Sequence, residues 1–253
     1  SVLKKPTKQE EDFVKNIQSE VIHSDCYRLK TCAFSRKPKH IVDLGFNMGS
    51  FSKHASALHP EATIYAYELL KRNIEVAKQI VIAESNNVKV HHAAVIGKNP
   101  ITSILAGKKN LGGNKVTHEG SSFYLSEEKI PQELYQKHFD TRSIAEELNQ
   151  YTLEDIILDN NIDYVDFLKM DIEGSEYEVL EHFFETGLCK RVLNFALEVH
   201  GTRDSLPNGK TSKEFSKQYL WLEEKIKENF DNYTLEPTRG YGWASNKMGD
   251  SNE

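Results

Sequence analysis

The sequence predicts an α/β fold, in which a mostly parallel β-sheet is covered on both faces by helices. Short apolar runs typical of buried strands alternate with segments of helical periodicity along most of the chain. No Pro/Gly/Ser-rich stretch divides the 253 residues, so we expect one domain over residues 1–253. Ligands of such sheets bind beyond the carboxyl ends of the strands, and the residues that follow each strand are therefore the candidates for function.

The first part of the chain predicts a helical cap followed by three strands and two helices. Apolar residues recur at helical spacing from Gln9 to Val21, and we expect residues 1–37 to cap one edge of the core. The elements that follow are strand His40–Leu44, helix Ser50–Leu58, strand Thr63–Tyr67, helix Lys71–Glu84 and strand Val88–His91.

The last part of the chain continues the alternation. It predicts strand Tyr164–Met170, helix Ser175–Glu185, strand Val192–Val199 and helix Ser212–Phe230. Ser175 and Glu178 fit a capping box, and Gly187 stands where a helix C-terminal cap belongs. The aromatic, glycine-containing tail 237–243 would either close over a substrate or form a final strand.

Residues 97–151 interrupt this rhythm. The stretch is polar and contains several glycines, and so long a connection in a compact domain is usually functional or holds small elements of its own. We expect a strand at Ser121–Leu125 and a helix at Thr141–Leu148. The stretch is interpreted as an insertion on the substrate side.

The overall composition disfavours two classes of partner. The formal net charge of −6 is unusual for a nucleic-acid-binding protein, and no apolar run reaches the length of a membrane span. The start of the chain lacks the apolar region of a signal peptide. Three cysteines without C-x-x-C spacing suggest reduced thiols, and we expect a cytoplasmic protein.

A glycine-containing loop, Asp43 to Gly49, follows the first strand and opens a helix. Its G-x-N-x-G spacing lacks the third glycine of a pyrophosphate-binding loop, whereas S-adenosylmethionine has no phosphate. An acid before the loop suits the positive charge of that cofactor. An ordinary strand-to-helix turn is the alternative. The candidate cofactor contacts here are Asp43, Gly45, Phe46, Asn47 and Gly49.

Residues after the next two strands extend the candidate site. Glu68 follows the second strand, and a carboxylate at this position can accept hydrogen bonds from both ribose hydroxyls. A solvated acid at a strand end is the alternative. Leu69, next to it, and Ala93, beyond the third strand, are further candidate contacts.

Candidate catalytic residues follow the last two predicted parallel strands. The apolar run before Asp171 places this residue at the carboxyl edge of the sheet, beside the cofactor loop. Glu198 and His200 are two positions apart and therefore point to the same side of their strand. His200 or Asp171 could act as a general base. Asp171, Glu198 and His200 could instead hold a divalent metal, since carboxylate and imidazole are ordinary ligands.

Several strings of this sequence resemble the FkbM-type methyltransferases. The strings are VDLGFNMG (42–49), YE (67–68), AAV (93–95), TLED (152–155), VDFLKMDIEGSE (165–176) and EVH (198–200). The resemblance implies a Rossmann-like class I methyltransferase fold with a seven-stranded sheet and S-adenosylmethionine as cofactor. It also implies O-methylation of a hydroxyl on a sugar, polyketide or other small-molecule or glycan acceptor. The sequence departs from the family pattern at Leu69, where a proline is common, and in the length of 97–151.

Three other functions are compatible with parts of the pattern. Methylation of RNA ribose would need a basic surface, for which the candidates are Lys108, Lys109, Lys115, Arg239 and Lys247. A methyltransferase-like domain that only binds a partner is disfavoured by the intact acids Asp43, Glu68 and Asp171. A nicotinamide-dependent reductase is disfavoured by the missing glycine. The pattern leaves the acceptor and the oligomeric state open.

Overall fold

The computed structural model describes residues 3–101, 103–107, 139–143, 148–173, 175–199, 213–236 and 240–247. Its strands are β1 His40–Leu44, β2 Thr63–Glu68, β3 Val88–Val95, β4 Ser103–Gly107, β5 Phe139–Ser143, β6 Asn149–Tyr151, β7 Phe167–Met170, β8 Asn194–Glu198, β9 Asn232–Glu236 and β10 Tyr241–Ser245. Its α-helices are α1 Lys8–Gln18, α2 Ser50–Leu58, α3 Lys71–Ile80, α4 Leu153–Asp159, α5 Glu176–Glu185 and α6 Lys213–Asn229.

The main sheet confirms the predicted α/β class. In the described part of the chain its strand order is β6-β3-β2-β1-β7-β8-β10-β9, and all pairs from β6 to β8 are parallel. The last two strands pair antiparallel at the other edge. The expected count of seven strands is wrong, because eight strands of the described residues form the sheet. The additional strand, β6, is only three residues long, and its polar sequence gave no apolar strand signal.

Two predictions for the polar stretch 97–151 have different outcomes. The predicted helix Thr141–Leu148 is wrong at its start, since residues up to Ser143 belong to β5, which pairs antiparallel with β4. Both strands lie in a separate two-stranded sheet. The predicted strand Ser121–Leu125 lies outside the described residues.

The predictions for the two ends of α5 also have different outcomes. The capping box at Ser175 and Glu178 is wrong, because Ser175 has helical backbone angles (φ −85°, ψ −4°) and its side chain makes no capping hydrogen bond. A capping hydroxyl needs an extended backbone to reach back to the helix. Gly187 is confirmed at the other end, where its φ of +70° ends the helix in the left-handed conformation.

Alternating strand residues build an apolar core on each face of the sheet. Val42 and Leu168 point to the face covered by α4, α5 and α6, whereas Ile41 and Phe167 point to the face covered by α2 and residues from the N-terminal segment. Both faces are therefore buried, as a parallel sheet requires. Within the described residues, no helix is both long enough and apolar enough to cross a bilayer.

Arg72 is one of the residues that fix the N-terminal segment to the rest of the fold. The Arg72 guanidinium, on α3, donates to both carboxylate oxygens of Glu10, each at 2.8 Å, and to the backbone oxygens of Lys4 and Lys5. Glu10 also completes a capping box with Thr7 at the start of α1. The residues that follow α1 are held separately, by hydrogen bonds from the Tyr241 hydroxyl to Glu20 and from the Trp243 indole to the backbone oxygen of Cys26.

Candidate functional site

The loop after β1 turns sharply because three of its residues adopt positive φ. These residues are Gly45 (+81°), Asn47 (+51°) and Gly49 (+84°). A Cβ atom on Gly45 would lie 1.6 Å from the backbone oxygen of Asp171, so only glycine fits where the loop crosses the end of β7. The backbone NH groups of Gly45 and Phe46 donate to Tyr67 at 3.1 and 3.0 Å, and these bonds fix the loop to the end of β2.

A cleft lies beyond the carboxyl ends of β1, β2, β3 and β7, where the fold rule expects a ligand. Its volume is about 570 Å³ including its open mouth. Six of the sequence-predicted cofactor contacts line it: Gly45, Asn47, Glu68, Leu69, Ala93 and Asp171. The structure therefore brings together residues from four separate segments of the chain.

Glu68 is buried at the edge of this cleft and is held by three protein donors. Its Oε2 accepts from the backbone NH of Asn47 at 2.6 Å, and its Oε1 accepts from the NH of Leu70 at 2.8 Å and the side chain of Asn73 at 3.3 Å. Burial raises the pKa of Glu68 to about 7, although these hydrogen bonds oppose the shift. A carboxylate offers about four acceptor positions, so the fixed group retains capacity for a ligand hydroxyl.

Asp43 lies beneath the loop rather than in the cleft. It is fully buried and accepts a 2.6 Å hydrogen bond from the Ser52 hydroxyl. Its other carboxylate oxygen is 3.3 Å from Nζ of Lys169. Its contact with a cofactor remains a prediction, and in this geometry Asp43 supports the loop from below. Gly49 lines no part of the cleft either, but starts α2.

Lys169 is a buried lysine in the middle of this arrangement. Its ammonium donates to the backbone oxygen of Gly45 at 2.6 Å and lies 3.7 Å from Asp171 Oδ2. Burial alone would lower the pKa of Lys169, but the carboxylates of Asp43 and Asp171 more than offset burial and the pKa is raised. The lysine is therefore a permanent cation that ties the loop to β7.

A second cavity adjoins the cleft and shares Gly45, Asn47, Asp171 and Glu173 with it. Its volume is about 890 Å³ including open space. Phe46 lines this cavity rather than the cleft, together with Lys169 and Glu198. Asp171 thus lies on the boundary between the two spaces.

Asp171 and Glu198 approach a common donor at this boundary. The Tyr27 hydroxyl donates to Asp171 Oδ2 at 2.7 Å and lies 3.5 Å from Glu198 Oε2. The structure therefore brings together two of the three predicted catalytic residues. His200, the third, lies outside the described residues.

The metal site at Asp171, Glu198 and His200 stays a prediction. Across the residues that the structure describes, no group of three potential ligands has a suitable arrangement, but His200 is not among them. The Lys169 ammonium already provides a cation beside Asp171.

Sequence reasoning missed Tyr27 and Lys169. Lys169 had a detectable signal, because a lysine inside the apolar run 167–170 must be buried and needs buried acids as partners. Tyr27 had no such signal, since it is 144 positions from Asp171 and only the packing of the N-terminal segment joins them.

The sequence is similar to those of known methyltransferases. The Methyltransferase FkbM domain family matches residues 43–225. Methyltransferase sdnD of Sordaria araneosa is 26% identical over 183 residues, which cover 65% of this chain and 67% of that protein.

Two solved methyltransferase structures match this chain at low sequence identity. A methyltransferase FkbM from Methylobacillus flagellatus KT is 14% identical, with a TM-score of 0.48, and is matched over 90% of this chain and 47% of its own. The present chain therefore spans about half the length of that protein. The plantazolicin methyltransferase BpumL, solved in complex with SAH, is 11% identical with a TM-score of 0.42, over 95% of this chain and 87% of its own.

The fold and the family match together define a methyltransferase that uses S-adenosylmethionine. The chain belongs to the FkbM methyltransferase family, since the family domain matches well over half of its length. The residues present suit this cofactor. The Glu68 carboxylate lines the cleft as a hydrogen-bond acceptor, and the buried Ser50 hydroxyl, which has no hydrogen-bond partner among the described residues, lines the adjoining cavity.

Proposed function

We propose that the protein methylates a hydroxyl oxygen on a sugar, polyketide or other small-molecule or glycan acceptor. The observation that carries the proposal is the position of Asp171 on the boundary between the cleft and the cavity, with Glu198 nearby in the cavity. Transfer to a hydroxyl releases a proton, and carboxylates at the junction of two ligand spaces can receive it.

The cleft would hold the adenosine half of the cofactor. Glu68 would accept hydrogen bonds from the ribose hydroxyls, and Leu69 and Ala93 would pack beside the base. Asn47 and the Gly45 backbone would contact the remainder of the molecule, and Asp43 would support them through Lys169. When bound, S-adenosylmethionine supplies an electrophilic methyl group on a sulfonium centre.

The adjoining cavity would hold the acceptor close to this centre. Its wall combines the carboxylates of Asp171 and Glu198 with apolar residues such as Phe51, which suits a neutral acceptor that carries both hydroxyl groups and apolar surface. Asp171 or His200 would take the hydroxyl proton, and positioning of the acceptor oxygen would supply much of the rate. A metal held by Asp171, Glu198 and His200 would lower the hydroxyl pKa instead.

Radiolabelled methyl transfer from S-adenosylmethionine to a panel of sugars, glycans and polyketides tests the proposal. We expect a product whose label survives alkaline hydrolysis, as a methyl ether does and a methyl ester does not. Asp171→Asn and Glu198→Gln should reduce transfer by about 10²-fold or more, the usual contribution of a general base. Glu61→Gln, at an exposed acid before β2, is the matched control. Label found only on nitrogen, sulfur or carbon would overturn the proposal.

The role of a metal is tested by the same assay. If the three residues hold a divalent cation, a chelator should abolish transfer and added Mg²⁺ or Mn²⁺ should restore it. Activity that is unchanged by the chelator would assign Asp171, Glu198 and His200 to proton transfer alone.

Methylation of RNA ribose is the second candidate function, but the net charge of −6 gives it no support.

We also propose that the chain is a single domain, with residues 1–37 as a cap and 97–151 as a substrate-side insertion. Cys26 and Tyr27 from the cap line the proposed acceptor cavity, and β4 and β5 form a sheet apart from the main one. Limited proteolysis that releases no stable fragment would support a single domain.

The free thiols of Cys26, Cys32 and Cys189 fit a reducing cytoplasm, which cell fractionation can test.

A further inference from the structure

Tyr27 reaches the candidate site from a part of the chain outside the matched family domain. It follows the short π-helix Ser19–His23 and precedes β1 by more than ten residues. Its side chain is buried, and its hydroxyl donates to Asp171 Oδ2 at 2.7 Å. The N-terminal segment therefore contributes a polar group to the boundary between the cleft and the cavity.

The Tyr27 ring is held by contacts on several sides. Phe51 and Tyr241 meet it edge-on, with centroids 5.6 and 5.9 Å away, and the Lys169 ammonium lies 5.3 Å from its centroid. A ring packed in this way cannot swing its hydroxyl away from Asp171 without repacking its neighbours. The position of the hydroxyl is thus set by the apolar core.

Tyr27 remains a hydrogen-bond donor at any physiological pH. Burial, followed by the charges of Asp171 and Glu198, raises the pKa of Tyr27 well above the ordinary tyrosine value. A neutral phenol between two carboxylates can donate to one and approach the other. Here the shorter contact is to Asp171.

Tyr27 and Lys169 both approach the same carboxylate oxygen of Asp171. The Tyr27 hydroxyl is at 2.7 Å, whereas the Lys169 ammonium is at 3.7 Å from the same oxygen. Lys169 also lies close to Asp43, on the buried side of the loop. Loss of the tyrosine hydroxyl would remove the closer of these two contacts, and the Asp171 carboxylate could then turn toward Lys169 and leave its present position at the boundary.

We infer that Tyr27 is a positioning residue, which holds the Asp171 carboxylate at the boundary where the cofactor and the acceptor meet. The N-terminal segment is then a part of the active site rather than a cover over the core. The inference rests on the proposed function for the placement of the cofactor in the cleft, but not on the identity of the acceptor.

Two cofactor analogues test this inference without an acceptor. S-adenosylhomocysteine lacks the methyl group, whereas sinefungin carries a protonated amine near the methyl position and therefore senses a carboxylate held there. In Tyr27→Phe we expect S-adenosylhomocysteine affinity within about twofold of wild type and the preference for sinefungin reduced about fivefold or more, as for one lost charge-assisted contact. Calorimetry measures both affinities.

Tyr65→Phe is the matched control. Tyr65 is also a buried tyrosine, but it lies on β2 and its hydroxyl is 3.5 Å from His40, away from the cleft. This variant should keep the wild-type preference. A preference that is unchanged in Tyr27→Phe would overturn the inference.

A combination with Asp171→Asn separates positioning from a general packing effect. If Tyr27 acts through Asp171, the Tyr27→Phe change should not alter the sinefungin preference further in the Asp171→Asn background. An equal loss in both backgrounds would contradict the inference, because it would show that Tyr27 acts independently of Asp171. Both ligands bind without methyl transfer, so a failure of the hydroxyl-acceptor proposal would leave this result unaffected.

Discussion

The Lys169 ammonium lies 3.3 Å from Asp43 Oδ1, and both side chains are buried beneath the loop that forms the floor of the cleft. Asp43 and Lys169 lie side by side near the carboxyl ends of their strands, because the two residues are direct partners in the parallel pairing of β1 and β7. The pair links the loop, through the Gly45 backbone, to the strand that carries Asp171. Replacement of Lys169 tests this link.

Replacement of Lys169 by methionine should destabilise the protein by about 3–5 kcal/mol, because it leaves the carboxylate of Asp43 buried without its cation. Urea unfolding, followed by circular dichroism, measures the change. The double variant Lys169→Met/Asp43→Asn should recover part of the loss, since it removes the unpaired charge as well. Wild-type stability in the single variant would mean that the pair contributes nothing.

Replacement of Gly45 by alanine should abolish cofactor binding. The new Cβ would lie 1.6 Å from the Asp171 backbone oxygen, so the loop must move away from the end of β7. Gly187→Ala is the control, because Gly187 also has a positive φ but no atom of the described residues lies within 4 Å of the added Cβ. Backbone strain should lower the stability of the control by only about 1–2 kcal/mol. Its affinity for S-adenosylhomocysteine, measured by calorimetry, should be unchanged. Equal affinity in both variants would be evidence against the close contact.

Affinity for S-adenosylhomocysteine should rise as the pH increases from about 6 to about 8. Burial raises the pKa of Glu68 to about 7, and ribose hydroxyls donate most strongly to the ionised form. If only that form binds, the dissociation constant should fall about tenfold over this interval. Glu68→Gln should bind more weakly and show a flat profile. A wild-type affinity that does not change with pH would remove Glu68 from the ribose site.

Replacement of Glu10 by glutamine should weaken the attachment of the N-terminal segment by about 2 kcal/mol at neutral pH, as for hydrogen bonds to a charged group. The hydrogen bond from Arg72 is the main cause that lowers the pKa of Glu10 to about 2. The stabilisation by the ionised Glu10 is therefore complete above about pH 4.5 and is lost as the pH falls through about 2. The difference in the free energy of unfolding between wild type and variant, measured by chemical unfolding, should therefore be the same at pH 7 and at pH 5. A difference that disappears already at pH 5 would contradict this assignment.

The sequence predicted most of the cleft, because the candidates follow a local rule. Residues after the ends of parallel strands meet at one edge of the sheet, and Gly45, Glu68 and Asp171 do so here. The eighth strand escaped prediction, since β6 is too short and polar to carry a periodic signal. The capping box at Ser175 was predicted from spacing alone, whereas capping depends on backbone angles that spacing does not fix.

By itself, the sequence determined the α/β class, the glycine loop and the carboxylates at the ends of the strands, because hydrophobic periodicity and turn chemistry act between neighbours in the chain. Only the tertiary structure decided that Asp43 supports the loop from below through Lys169, and that Tyr27 meets Asp171 across 144 positions. Such pairings arise when distant segments bury their polar groups together. Each buried charge then needs a partner, and the packed fold selects which residue provides it.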